Sequence, residues 1–405
     1  MRVAILGAGN AGVCAALELA ARGQAVDLYD ENAEPITRAS RNNEGKVHLG
    51  LVYAKDGSLA TARTMIWGAL HFAACLRRWI DFDPRDGALS TPFHYAVHEG
   101  TMTTPAALAA HYAHCRRLFA DAQRSTGLSY LDLDRSLVAE EISRPELEAL
   151  LDPEHFVTAF RTSERAVDPR AIADRLVAAV HASPRIRFVR NARVTDLARG
   201  RGAGLRVSFH VDGAEHVETY DQVANCLWHG RLAIDARLGL APEREWIYRY
   251  KVGGWLKVPV PPETVPSLTV VLGPFGDLVD FGRRGLYLSW YPAGMIGTSR
   301  ELSPPDWHAS LTPAAAAAIV RRTHDVWLRR CPGLRALGGP DTIEPAGGVI
   351  FAWGASDIDV AESRLHTRHE IGVHSVGGYH SVNTGKYTMT PYLGYETARR
   401  ILGTE

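Results

Sequence analysis

Neither sign of charge prevails in this chain of 405 residues: 45 Lys plus Arg stand against 45 Asp plus Glu, a formal net charge of zero. Without a basic surplus, binding to nucleic acid or to a membrane through a polybasic patch loses its electrostatic drive. Cysteine is scarce as well. The five (Cys14, Cys75, Cys115, Cys226 and Cys331) are scattered, odd in number and free of any Cys-x-x-Cys pair. That argues against a disulfide framework or a zinc site and for buried thiols in a reducing compartment. Long apolar runs are missing: nothing approaches the roughly 20 residues of a membrane span. Gly7, Gly9 and Gly12 break up the apolar start that a signal peptide would need. Repeats and low-complexity tracts are absent too. The expectation is a cytoplasmic protein with no membrane span, no nucleic-acid partner and no metal. Its length suits two domains or one large interleaved fold.

What is present begins at the N-terminus. Val3 to Leu6 is a short apolar run of the buried-strand type, and Gly7-Ala8-Gly9-Asn10-Ala11-Gly12 follows at once. Val13 to Arg22 reads as a helix with Val13, Ala16, Leu17, Ala20 and Ala21 on one face, stopped by Gly23. A second strand, Ala25 to Tyr29, ends at the acids Asp30 and Glu31. In such a unit Gly7 permits the tight turn, Gly9 lets backbone approach a pyrophosphate, and Gly12 lets helix and strand pack closely. The helix N-terminus supplies unpaired N–H groups. An acid at position 30 accepts hydrogen bonds from a ribose diol and repels a 2′-phosphate, which disfavours NADP. The unit predicts a dinucleotide site.

FAD and NAD are separated by the next segment. Ala39-Ser40-Arg41-Asn42-Asn43-Glu44-Gly45-Lys46-Val47-His48-Leu49-Gly50-Leu51-Val52-Tyr53 is polar and punctuated by glycine, as a loop crossing a cofactor would be, where a nicotinamide dehydrogenase normally continues with a helix and strand. The pattern resembles the FAD-dependent D-amino-acid oxidase/glycerol-3-phosphate dehydrogenase superfamily, and in this stretch its 2-hydroxyglutarate dehydrogenase branch. Further segments fall in the order that the resemblance implies. Arg165 to Arg170 precedes a helix, Ala171 to Ala182. A strand pair, Ile186–Val189 and Ala192–Val194, stands where the family contacts the adenine, which implicates Val194. Tyr220 to Cys226 matches the strand leading back under the flavin, and Gly372 to His380 matches the C-terminal flavin loop. Leu227-Trp228-His229-Gly230 departs from the small residues usual after that strand, and so does the run Gly377 to Thr388 from the usual glycine turn.

The resemblance implies an α/β fold. A Rossmann-like FAD-binding domain (1–80, 150–230 and 335–405) is expected to interleave with a mixed or antiparallel-sheet substrate domain (81–150 and 231–334). Helices are expected at 60–80, 105–126 and 313–330, and strands at Gly254–Val258, Leu268–Leu272 and Gly285–Tyr291. The cofactor set is Gly7, Gly9, Asn10, Ala11, Gly12, Asp30, Glu31, Arg41, Asn42, Asn43, Lys46, Val47, His48, Val194, Cys226, Gly378, Thr384, Gly385, Lys386 and Tyr387. The Thr384-Gly385-Lys386 turn is the candidate source of positive charge at flavin N1/C2=O, which steadies the reduced flavin. His48 is a candidate base or flavin donor; in some branches a histidine here is covalently attached, but not in the branch that this spacing resembles. Tyr379 and His380 are expected to close over the flavin, Trp290 and Tyr291 to wall the substrate pocket, and Arg300 or Arg283 to pair with a substrate carboxylate. The expected reaction is oxidation of a CH–NH bond in a small amine or amino-acid-like substrate, with hydride passing to flavin N5. The imine formed would hydrolyse, and O2 or an electron carrier would take the electrons. Oxidation of a 2-hydroxy acid, a non-redox dinucleotide-binding protein and an NAD-binding protein are the alternatives.

Overall fold

A computed structural model describes residues 1–404 apart from 134, 201 and 203. Two large sheets organise it. The first has six strands in the order Gly372–Val376, Tyr379–Asn383, Gln222–Asn225, Val3–Leu6, Val26–Tyr29 and Ile186–Val189. All its neighbours are parallel except the Gly372–Val376 edge, which forms a hairpin with Tyr379–Asn383. Both faces of the Val3–Leu6 strand are covered, as a continuous apolar run requires. Val3 and Ile5 pack among the helices, with Val13, Ala16 and Ile401 in the same core. Ala4 and Leu6 face the other way, onto the antiparallel sheet Arg193–Arg199, Leu205–Val211 and Ala214–Tyr220.

The helix Asn10–Ala21 packs against the C-terminal helix Thr390–Leu402 so closely that a Cβ on Gly394 would lie 2.4 Å from Cys14 Cβ. Helices at Ala60–Leu76, Pro105–Thr126, Pro169–Ala182 and Pro313–Arg330 match the sequence expectation closely. Asp168 caps one of them, its Oδ1 accepting from Arg170 N–H (2.9 Å) and Ala171 N–H (3.2 Å). Glu140 and Glu141 belong to the short strand Ala139–Glu141. All five cysteines are buried and unbridged.

The second sheet is mixed, with nine strands. Its longest ladder runs from Trp246↔Trp353 to Leu256↔Ile343. Two of its strands, Phe156–Thr162 and Ile343–Trp353, come from segments that the sequence reading placed in the cofactor domain. The expected strand pair Ile186–Val189 and Ala192–Val194 is split: the first joins the parallel sheet and the second opens the three-stranded one. Strand alternation assigns the faces of the large sheet. Tyr250, Val252 and Leu256 pack towards the helix Pro313–Arg330, which turns Arg249, Lys251 and Trp255 to the opposite side. Phe93, Tyr95 and Val279 share a core with the helices of the first sheet. The space beside the large sheet therefore receives Arg249 and Lys251.

Candidate active site

The glycine turn stands at the carboxyl end of the parallel strands, where such sheets bind ligands. Gly7 adopts φ +94°, and a Cβ there would lie 2.7 Å from Cys226 O; a Cβ on Gly12 would lie 1.9 Å from Gly7 O. Both positions therefore demand glycine. At Gly9 a Cβ would meet only Ser40 Oγ, at 3.4 Å, so the space in front of this residue is open. Asp30 Oδ2 accepts from Ala8 N–H (2.7 Å), and Oδ1 accepts from the backbone and side chain of Asn32. Oδ2 keeps a lone pair for a ribose hydroxyl. Ala192 N–H donates to Asp30 O (2.7 Å), which brings the 192–194 backbone to the same corner. Glu31 is exposed.

The loop after residue 38 is shaped by its own side chains. Asn43 donates to Ala39 O and Ser40 O and accepts from Gly45 N–H. Asn42 reaches Thr37 O, and Arg41 pairs with Asp174 on the neighbouring helix, 2.6 Å away. Lys46–Val47 then pairs with Arg165–Ala166, and this two-residue ladder brings His48 beside Glu164. Glu164 is wholly buried. Its Oε2 accepts from Leu49 N–H (2.6 Å), its Oε1 from Tyr95 OH, and His48 Nδ1 stands 3.5 Å from Oε1. Burial alone would raise the carboxyl; His48, Lys46 and the Leu49 N–H together hold it below the usual carboxylate range. Burial likewise lowers His48, and Glu164 only partly offsets this, so the imidazole is neutral near pH 7. The backbone N–H of His48 donates to Thr388 Oγ1 (2.9 Å), and the Thr388 hydroxyl donates to Lys46 O (3.2 Å). The N-terminal loop is thereby stitched to the C-terminal turn.

Charged side chains surround this pair, with Arg249, Lys251 and Asp277 coming from the large sheet. Lys46, almost fully buried, donates to Asp277 Oδ1 (2.7 Å) and to Thr269 Oγ1 and lies 4.3 Å above the Phe93 ring. Burial would raise the Asp277 carboxyl, but Lys46, then Lys251 4.0 Å from Oδ2, holds it well below normal. Glu44 is lowered too: burial and Asp277 push it up, while Lys251, Lys386 and Lys46 outweigh them. Lys386 itself is lowered to about 8 by burial and by Arg368. Arg249, 2% exposed, donates to Asp357 Oδ1 (2.8 Å) and to Tyr291 OH, while its Nε is buried and unpaired. Tyr291 is raised to about 12 by burial. Arg368 is buried on Phe351 O (2.9 Å), and burial with Arg249 nearby lowers it to about 10. Among the described residues, no carboxylate stands within ion-pair distance of Arg368 or Lys386.

The sequence-derived set divides on this geometry. Gly7 to Gly12, Asp30, Lys46, Val47, His48, Cys226, Thr384, Gly385, Lys386, Tyr387 and Tyr291 converge between the sheets. Seven others do not join them. Gly378, at φ +82°, turns the hairpin that precedes the strand Tyr379–Asn383, at the end of the sheet away from Gly7. Tyr379 donates to Asp235 Oδ1 and accepts from Asn225 Nδ2, inside a buried network with Arg231 and Ser381. His380 lies between Ser375 Oγ and Gln222 Oε1, both 2.8 Å away, and burial lowers it to about 4. Arg300 binds the backbone carbonyl of Ala355, and Arg41 faces Asp174. Trp290 packs on Trp327 in the core behind the sheet, and Arg283 is exposed. His98, Glu99 and His155 bring ligand atoms within 4.8 Å of one another. Gly100 N–H donates to His98 Nδ1 (3.0 Å), however, so His98 Nε2 carries the proton in the neutral ring and has no lone pair for a metal.

Glu164, Arg249, Lys251, Asp277, Asp357 and Arg368 were missed by sequence reasoning. A signal existed for two of them: Arg249 and Lys251 are charged residues two apart in an otherwise apolar and aromatic strand, Trp246–Leu256.

The residues fit an FAD. Among the described residues, Asn10 Oδ1, His48 Nδ1, Tyr53 OH and Tyr387 OH are buried without a hydrogen-bonding partner. Such atoms ask for a ligand or ordered water.

Comparisons with known proteins agree. The DAO family, described as FAD dependent oxidoreductase, matches residues 2–400. No curated protein sequence matches. Among solved structures, glycine oxidase from Geobacillus kaustophilus superposes with a TM-score of 0.67 at 16% identity, covering 100% of this chain and 95% of that one. L-alpha-glycerophosphate oxidase from Mycoplasma pneumoniae, solved with FAD bound, gives 0.67 at 13% identity over 99% and 94%. Iminodiacetate oxidase from Chelativorans sp. BNC1 gives 0.66 at 16% identity over 100% and 96%. At these identities the structures report a shared fold, and among the described residues no helix is long and apolar enough to cross a membrane. With the family match spanning nearly the whole sequence, the chain belongs to the DAO family of FAD-dependent oxidoreductases.

Proposed function

We propose that this flavoenzyme oxidises the CH–NH bond of a small, carboxylate-bearing amine to an imine, which water then hydrolyses. The observation that carries the reading is the neutral His48 beside the wholly buried Glu164, in a cleft lined by buried cations. The residues that would hold the cofactor are the Gly7–Gly12 turn and Asp30 at its nucleotide end, and the 42–48 loop with the 384–388 turn at its flavin end. Bound there, the flavin supplies the acceptor for the hydride leaving the substrate carbon.

The chain's own residues do the rest. Arg249 and Arg368 offer a substrate carboxylate two guanidinium groups, with Tyr53 OH and Tyr291 at hand. His48, uncharged at neutral pH, takes the proton from the substrate nitrogen, because an ammonium has no lone pair to support C–H cleavage. Glu164 steadies the resulting imidazolium and fixes the ring's orientation. Lys386, with no carboxylate partner among the described residues, provides a positive field for charge developing at the flavin end. The names of several structural relatives (glycine oxidase, iminodiacetate oxidase, L-proline dehydrogenase) favour amine substrates.

A second reading is oxidation of a 2-hydroxy acid. The His48–Glu164 pair would serve it equally, by taking the hydroxyl proton, and a glycerophosphate oxidase shares the fold. Anaerobic mixing of the yellow holoenzyme with panels of amino acids, secondary amines and 2-hydroxy acids tests the choice. Bleaching by amines with release of an oxo product supports the first reading. Bleaching by hydroxy acids alone overturns it in favour of the second. Reoxidation of the bleached enzyme under air, or only with an added carrier, assigns the electron acceptor.

A further inference from the structure

Asp357 is out of place among its neighbours. It belongs to the irregular segment 354–371, which links the strands Ile343–Trp353 and Gly372–Val376. The segment is held near its ends. Arg300 grips Ala355 O, Arg368 N–H donates to Thr61 Oγ1 (2.8 Å), and Glu370 pairs with Arg244. Its middle, residues 357–362, folds on itself through Val360 N–H to Asp357 O and Ser363 OH to Ser356 O. Among the described residues, that middle reaches the protein outside the segment by a hydrogen bond or ion pair only through Asp357 and Arg249; from within the segment, Ser363 N–H (3.0 Å) and His366 Nε2 (3.2 Å) meet Val360 O. A pocket of about 280 Å³ lies between Lys55 and residues 361–370, and Asp359 and Val360 are exposed.

The ion pair is also chemically telling. Arg249 is buried and has a further unpaired Nε; beside it stand Arg368, without a carboxylate, and Tyr53, whose hydroxyl is buried and unpaired. Burying a guanidinium costs least when an anion faces it. One carboxylate can replace another there without changing the charge of the cleft, whereas a neutral group cannot.

We propose that Asp357 is a built-in competitor for the substrate's anionic group: it neutralises Arg249 in the free enzyme and gives up that place to the substrate carboxylate as residues 357–362 lift, Arg368 staying in place. This inference rests on the carboxylate site assigned to Arg249 above. The exchange admits anionic substrates and rejects neutral ones, because only an anion can take over from Asp357. It also couples substrate binding to opening of the segment, so the affinity measured is the intrinsic affinity reduced by the fraction of enzyme in which Arg249 is free.

The test is calorimetric titration of benzoate, a carboxylate that cannot be oxidised at a C–H beside nitrogen, into the flavin-loaded enzyme. D357N keeps the size of the side chain and an acceptor for Ile358 N–H but removes the charge. It should bind benzoate at least about tenfold more tightly than the wild type, with faster amide exchange across 357–362. R300A, which loosens the segment without touching Arg249, should shift affinity in the same direction by a smaller factor. R249M should abolish binding. If the wild type binds benzoate and D357N binds it no more tightly, the competitor role is overturned while the carboxylate site stands. If neither the wild type nor D357N nor R300A binds benzoate, the carboxylate site fails and this inference with it.

Discussion

Replacing Glu164 with Gln isolates one charge. Gln keeps the volume and an acceptor for Leu49 N–H, but removes a carboxylate 3.5 Å from His48 Nδ1. At an effective dielectric of about 20, two unit charges that far apart interact by about 4–5 kcal/mol. The imidazolium charge is spread over the ring and the amide dipole retains part of the field, so about 2 kcal/mol is the expected loss, or about 1.5 pK units. The sign follows from the folded state. Burial lowers His48 and Glu164 partly restores it, so E164Q lowers it further. His48 becomes a weaker base: the acid limb of the pH–rate profile moves down by about one to two units and the plateau falls roughly 10- to 30-fold. Stopped-flow flavin reduction under anaerobic conditions, from pH 5 to 9, measures both. A limb that stays in place, with a plateau within twofold of the wild type, would refute the coupling of Glu164 to the proton-accepting group.

Other perturbations follow from the same geometry. G12A puts a methyl group 1.9 Å from Gly7 O; the helix must shift, at a cost of about 3 kcal/mol, and the purified variant should carry little FAD by absorbance. K46M leaves Asp277 buried with only Lys251 at 4.0 Å, so urea unfolding should show a loss of about 3–5 kcal/mol, and K46M/D277L should recover most of it. Lys386 is lowered to about 8 in the fold, below its unfolded value near 10.4. Between these values the unfolded chain holds more protons, so stability of the FAD-free protein rises from pH 8 towards 10; K386M should flatten that rise in thermal melts.

Much of the cofactor half was legible because local rules and tertiary fold agree there. Val3 to Asp30 spells strand, turn, helix and strand in one continuous stretch, and Gly7 and Gly12 stand where Cβ atoms would collide with backbone. The helices at 105–126 and 313–330 announce themselves by Thr104 and Thr312 caps followed by proline. The catalytic half was harder because its partners are distant in sequence. His48 meets Glu164 only through the Lys46–Val47/Arg165–Ala166 ladder, and Lys46 meets Asp277 only when the large sheet folds over it. Tyr379 and His380 misled for a related reason: a histidine beside paired glycines looks placed for chemistry, but the glycines turn a hairpin and the two side chains serve the sheet interior. The strands Phe156–Thr162 and Ile343–Trp353 join the large sheet through pairings with no local signature.

The most direct measurement of the central claim, that His48 accepts the substrate proton in front of the flavin, is the rate of anaerobic flavin reduction by H48N under single turnover. The variant should still bind FAD, release it on acid precipitation as the wild type does, and reduce it at least about 100-fold more slowly, without the acid limb of the wild type. Reduction of fully loaded H48N at the wild-type rate, with the same pH profile, would contradict the account.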